Sequence, residues 1–140
     1  MSEWIPITLR KLVRDRAAGK CEYCLIHEDD CVYRHQPDHI IARKHGGQAV
    51  AENMAYSCAL CNSLKGSDIA SVDLETGRVI QLFHPRADSW SEHFRIEGAL
   101  IVPLSPTARV TEYLLQFNRA DLIAMRQFLI ALDRYPYPLA

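Results

Sequence analysis

The chain lacks any apolar run approaching the roughly 20 residues that a bilayer-spanning helix needs, so no membrane partner is expected. Its opening, MSEWIPITLRKL, also lacks the apolar stretch of a secretory signal peptide. Repeats and low-complexity segments are missing too, which sets aside solenoids and flexible linkers. A soluble, intracellular protein in the cytoplasm is the resulting expectation. Positive charge is not in excess either: the net charge of −1 counts against a strongly electrostatic binder of nucleic acid. Hydrophobic residues at 49% and charged residues at 24% exclude a disordered composition.

What is present is a chain of 140 residues, enough for one domain of ordinary size or a small module with an extension. Its charge is uneven. Residues 10–20 hold Arg10, Lys11, Arg14, Arg16 and Lys20 against Asp15 alone, and residues 34–66 hold Arg34, Arg43, Lys44 and Lys65 against Asp38 and Glu52. A local basic face of this kind can meet phosphates while the whole chain stays near neutral, giving modest, salt-sensitive binding.

The five cysteines are an odd number, and four of them form two Cys-x-x-Cys pairs, Cys21/Cys24 and Cys58/Cys61, separated by 33 residues. In a reducing compartment this spacing favours metal over disulfides. Each pair can grip one tetrahedral Zn2+ from its own loop, and a four-sulfur shell leaves no open position for water. The site is therefore structural, a source of folding free energy and not of chemistry. Four unrelated buried cysteines, or redox pairs, are the competing readings. Cys31 is left over as a small buried or half-buried side chain, and His27 and His35 lie close enough in sequence to replace a thiolate.

Local signals give a coarse order of elements. Thr8–Ala18 reads as a helix with Leu9, Leu12 and Val13 on one side and Gly19 as its stop. CEYC follows as a knuckle. Val32–Ile41 looks extended, Gly46-Gly47 marks a turn, and a weaker extended piece leads to Glu52-Asn53. Ser57 is the expected N-cap of a helix over 59–65, closed by Gly66. Further on, Glu75-Thr76-Gly77 turns into a strand over 78–83, and 93–96 with 99–104 form a hairpin around Glu97-Gly98. Ser105-Pro106 opens a helix over 107–117. A last helix over 120–133 carries Leu122, Met125, Phe128, Leu129 and Leu132 at helical spacing, before a tail with Pro136 and Pro138.

Inside the cysteine-stapled segment lies Asp38-His39. A hard cation such as Mg2+ or Mn2+ takes oxygen ligands, and Asp38 can supply a carboxylate. Imidazole is suited to take a proton from water near neutral pH. In a regular strand His39 points to the face opposite Asp38, so a distortion at the strand end is needed to bring both to one cleft. Asn53 is placed to accept from the imidazole's other N–H, and Asn62 to offer an amide oxygen to the metal. Together these groups suit metal-assisted cleavage of a phosphodiester.

The run C-x2-C, DHIIARKHGG, EN, C-x2-CNSLKG resembles the HNH endonuclease family, with its ββα-metal fold and zinc-binding cysteines, over residues 21–66. The resemblance implies that His39 is the general base, Asp38 a catalytic-metal ligand, and Asn53 the asparagine that orients the histidine and shapes its loop. Asn62 stands where the family often has a final metal-binding histidine. Lys65 would be placed to meet a phosphate.

Remaining polar residues keep two readings each. His45 faces a phosphate or the metal, or is an exposed turn histidine. Arg43 and Lys44 are a solvated face in the free protein and backbone contacts in a complex. His84 and Arg86 line the cleft or form a turn around Pro85. Trp90, His93 and Phe94 cover the core or stack on bases, and the C-terminal helices are core or a dimer face.

The expected architecture is α+β: a single domain over 1–140, with a zinc-stapled ββα core over 20–67 and a strand-and-helix extension over 68–140. The expected activity is divalent-cation-dependent hydrolysis of DNA, for which a homodimer would make two staggered cuts natural. The alternative is a zinc-binding module that contacts nucleic acid or protein without cutting.

Overall fold

In the computed structural model, residues 4–136 are described; Pro138 of the expected tail lies outside them. The first helix, α1 (Ile7–Ala17), buries Val13 and Ala17, one turn apart, against Met54 and Tyr56 together with Ile5. Leu12, expected on that face, is exposed. The helix stops one residue before Gly19: Ala18 adopts the left-handed conformation (φ 54°), and Gly19 N–H returns to Arg14 O at 3.2 Å.

The chain then folds into the first cysteine knuckle. Cys21 N–H donates to Ile26 O at 2.8 Å and Leu25 N–H to Cys21 O at 2.9 Å, so Cys21 and Cys24 sit on one tight turn. Strand β1 (Gln36–His39) pairs antiparallel with β2 (Met54–Ser57), Asp38 opposite Ala55 and His39 opposite Met54. Helix α2 (Ala59–Lys65) follows at once. This hairpin and helix form the ββα unit expected from the sequence.

Within this unit, two expectations need correction. The extended piece thought to lead into Asn53 is a single 3-10 turn over Ala51–Asn53, with Asn53 N–H on Val50 O at 2.9 Å; pairing with β1 starts only at Met54. Ser57 does not cap α2. It is the last residue of β2, buried opposite Gln36, and the cap is Cys58, whose Sγ accepts from Cys61 N–H at 3.4 Å. A sulfur turned toward the three other paired cysteines already points back over the first helical turn, so it takes the place of a hydroxyl.

Beyond Gly66 come β3 (Ala70–Val72) and β4 (Val79–Gln81), the short helix α3 (Trp90–His93), the hairpin β5 (Phe94–Glu97) and β6 (Leu100–Pro103), then α4 (Pro106–Leu114) and α5 (Ala120–Ala131). The three sheets are two-stranded and antiparallel. Ser105 caps α4 as expected, accepting from Ala108 N–H at 3.0 Å, with Pro106 in the first turn. The inward stripe of α5 differs from the expected one. Leu129 and Arg126 are buried, whereas Phe128 and Leu132 are 66% and 53% exposed. Arg126 is held inside by carbonyls: its Nε donates to Ala99 O and its Nη2 to Phe117 O, both at 2.7 Å.

The extension braces the cysteine knuckle. Phe83, Phe94 and Phe117 pack edge to face, with centroids 5.5 and 5.7 Å apart, and Tyr23 of the knuckle joins Phe83 at 6.5 Å. Each buried aromatic of this kind contributes about 1.5–3 kcal/mol through lost apolar surface. Trp90 Nε1 donates to Tyr23 O at 2.9 Å and Tyr135 Oη to Cys24 O at 2.8 Å, so two distant elements satisfy knuckle carbonyls directly.

Candidate functional site

The four paired cysteines converge. Their sulfurs all lie within 4.8 Å of one another, and Cys24 Sγ stands 3.8 Å from Cys58 Sγ. Sulfurs about 2.3 Å from a central Zn2+ would be separated by about 3.8 Å in a tetrahedron, so the donor set fits a zinc ion. Cys21, Cys58 and Cys61 are buried and Cys24 half-buried, and no histidine belongs to this group of ligating atoms. Cys31 stays apart as a half-buried thiol, which burial, the largest cause, pushes up to about 12.

A hollow of about 520 Å³ opens beside β1 of the hairpin. Asp38, His39, Arg43 and Asn62 line it, with Arg10 of α1 and Gly66 at its edges. The consecutive residues Asp38 and His39, which end β1, both line this hollow, although side chains alternate in a regular strand; the chain bends at Ile40, straight after them. Asp38 Oδ2 is buried and has no hydrogen-bond partner among the described residues. Burial raises its carboxyl pKa above the ordinary value, against the opposing pull of Lys65 and His39. Asp38, with a buried carboxylate oxygen that has no partner, and Asn62 line the same polar hollow, and carboxylate and amide oxygens are donors that a hard divalent cation fits.

Asn53 does not reach into the hollow by itself. Its Oδ1 accepts from Ile41 N–H and its Nδ2 donates to Ile41 O and Gln48 O, all at 2.9 Å. These bonds close the loop that follows His39. Gly47 sits inside the same loop, and a Cβ there would lie 1.7 Å from Ile41 O, so only glycine lets the loop fold this tightly. The sequence marked Gly46-Gly47 merely as a turn; the close approach at Gly47 has no local signal.

Residues 21–68 match the HNH endonuclease family model. No curated protein and no solved structure matches the chain. The HNH segment thus spans both cysteine pairs, the hairpin and α2, and leaves α1 and everything after Asp68 outside it.

Within the HNH segment, Lys65 requires a correction. Its side chain is 2% exposed, and Nζ donates to Ile40 O at 3.0 Å and His39 O at 3.3 Å. An ammonium spent on two interior carbonyls does not meet a phosphate; it fixes the backbone that carries His39. Arg43, Lys44 and His45 are exposed on a 3-10 turn, and of the three only Arg43 lines the hollow. His84 accepts backbone N–H groups from Arg86 and Ala87 at 3.1 Å, and Arg86 pairs with Glu22, so FHPR forms a turn outside the hollow. Sequence reasoning did not assign Arg10 to the cavity, because only the packing of α1 on the hairpin brings it there.

Proposed function

We propose that this protein is a metal-dependent endonuclease that hydrolyses phosphodiester bonds in DNA. The observation that carries the reading is the convergence of Asp38, His39 and Asn62 on one polar hollow, with a carboxylate oxygen of Asp38 buried and unpaired. In this reading Asp38 and Asn62 hold Mg2+ or Mn2+. A cation there supplies charge stabilisation to the phosphate as it gains a fifth oxygen. His39 takes the proton from the attacking water, whose oxygen bonds to phosphorus as the bond to the leaving sugar oxygen breaks. Lys65 and Asn53 act one step back, by fixing the backbone on either side of Ile40 and Ile41. Arg43, at the rim, meets the phosphate backbone. The four-cysteine site holds Zn2+ and takes no part in the chemistry. Cytoplasmic placement and the pairing of two copies for two staggered cuts belong to this reading as well.

Supercoiled plasmid incubated with Mg2+ or Mn2+ tests it. The expected result is nicked product that EDTA suppresses, lost in His39→Ala with zinc content and circular dichroism intact. Asp38→Ala should shift the metal titration to higher concentration. A His39→Ala protein that still nicks at the parent rate removes His39 as the base, and a wild-type protein that binds DNA but never cuts it leaves a non-catalytic zinc module.

A further inference from the structure

The hollow that holds Asp38 and His39 is not isolated. A second hollow of about 390 Å³ abuts it and shares the wall made by Arg10, Gln36 and Pro37. It runs between α1 and the residues that lead into β1, and Lys11, Arg14 and Arg34 line it. Together the two form a trough that starts at Arg43 and Asn62, passes His39 and Asp38, crosses Arg10 and ends at Arg34.

The charge of this trough is unlike that of the chain. Apart from Asp38, its acid is Asp15, which Lys11 and Arg14 neutralise at 2.5 and 3.7 Å. Arg14 is further engaged by Glu28 at 2.7 Å. Among the described residues, Arg34, Arg43 and Lys44 are in no ion pair, and Arg10 gives only its Nε, to Ile5 O at 3.0 Å. Four exposed cations in and beside one continuous depression, in a protein of net charge −1, need a polyanion that is extended and follows the groove.

We infer that the trough along α1 is the track of a DNA strand, with Arg10 and Arg34 gripping backbone phosphates to one side of the scissile one. The inference rests on the nuclease reading for the position of the scissile phosphate and extends the contact surface beyond the HNH segment. Guanidinium groups on phosphates position the strand without reading bases, so binding through this track is independent of sequence.

Fluorescence anisotropy with a labelled 20-base-pair duplex, with no Mg2+ or Mn2+ added and over a range of salt, tests the track in the His39→Ala background. Arg10→Glu with Arg34→Glu should weaken binding tenfold or more. The milder Arg10→Gln with Arg34→Gln should reduce the magnitude of the slope of log K against log salt by about 1.8, two phosphates at about 0.9 each. Arg78→Glu, in the β3–β4 hairpin, serves as the charge control and should leave affinity near the parent value. Parent affinity and parent slope in both trough variants, or an equal loss in Arg78→Glu, overturns the track. Binding does not require cutting, so the two ideas fail separately. A wild-type protein that never nicks plasmid, while trough variants lose binding, sinks the nuclease reading alone; normal nicking with unchanged binding in the trough variants sinks the track alone.

Discussion

Asn53 and Ile41 hold each other by two reciprocal hydrogen bonds, Ile41 N–H to Asn53 Oδ1 and Asn53 Nδ2 to Ile41 O, both 2.9 Å. A side-chain amide thus completes the ladder that β1 and β2 begin, one residue past the point where the backbone can no longer pair. The adjacent bond from Ile40 N–H to Asn53 O, at 2.8 Å, makes the join rigid at the residue that follows His39.

Replacing Asn53 by Ala leaves the Ile41 amide and carbonyl without these partners. A single lost bond to a polar group left unsatisfied costs about 1–3 kcal/mol, reduced here where water can reach the loop. The expected result is a lower melting point together with a fall in kcat larger than the change in DNA affinity. Unchanged turnover would show that this loop does not govern the position of His39.

Gly47→Ala should behave similarly, for a steric reason. The added methyl would meet a backbone carbonyl at 1.7 Å, so the loop between Ile41 and Gly47 must move. Overpacking against backbone costs about 1–3 kcal/mol or more. Urea unfolding is the measurement: a midpoint equal to the parent's would contradict the close approach.

Lys65→Met keeps the aliphatic stem and removes the ammonium from the carbonyls of His39 and Ile40. It should lower stability by about 1–3 kcal/mol and slow cleavage while leaving the salt slope of DNA binding at the parent value. A slope reduced by about one phosphate would instead restore Lys65 as a phosphate contact.

Removal of the zinc expected at the cysteine cluster should unfold more than the knuckle. Trp90 and Tyr135 donate to carbonyls of Tyr23 and Cys24, so the extension loses its anchors when the knuckle opens. Chelation should lower the melting point and shift Trp90 fluorescence to the red. A chain that keeps its melt and its circular dichroism after complete metal removal would refute the staple.

Asp73 supplies an acid-limb prediction away from the site. Hydrogen bonds from Arg109, first among the causes, hold its carboxyl down at about 2 in the folded protein. The unfolded value is about 3.9. Its contribution to stability is therefore complete above about pH 4 and is lost as pH falls toward 2. Asp73→Asn should melt lower than the parent at pH 5, and the gap should narrow by pH 2. A gap that stays constant over that window would mean the pair is not coupled to folding through protonation.

The HNH segment was legible because its signals are short-ranged. A Cys-x-x-Cys turn and a glycine after a helix each act within a few residues, through sterics or one hydrogen bond. Even so, Cys58 displaced Ser57 as the cap of α2, since local rules do not register that a sulfur drawn toward its three partners already overlies the helix end. On α5, helical spacing marked Phe128 and Leu132 as inward, yet the buried stripe is shifted to include Arg126. Spacing gives the period of a face, and the orphan carbonyls of Ala99 and Phe117 decided its phase.

By itself the sequence determined the ββα unit, the four thiol ligands and the adjacency of a carboxylate to an imidazole, all of which depend on neighbours along the chain. Only the tertiary structure decided that Lys65 turns inward, that Asp38 and His39 share a hollow and that Arg10 borders it. Those outcomes depend on how α1, the hairpin and α2 pack, and packing is set by apolar burial among residues far apart in sequence, where no short window carries the information.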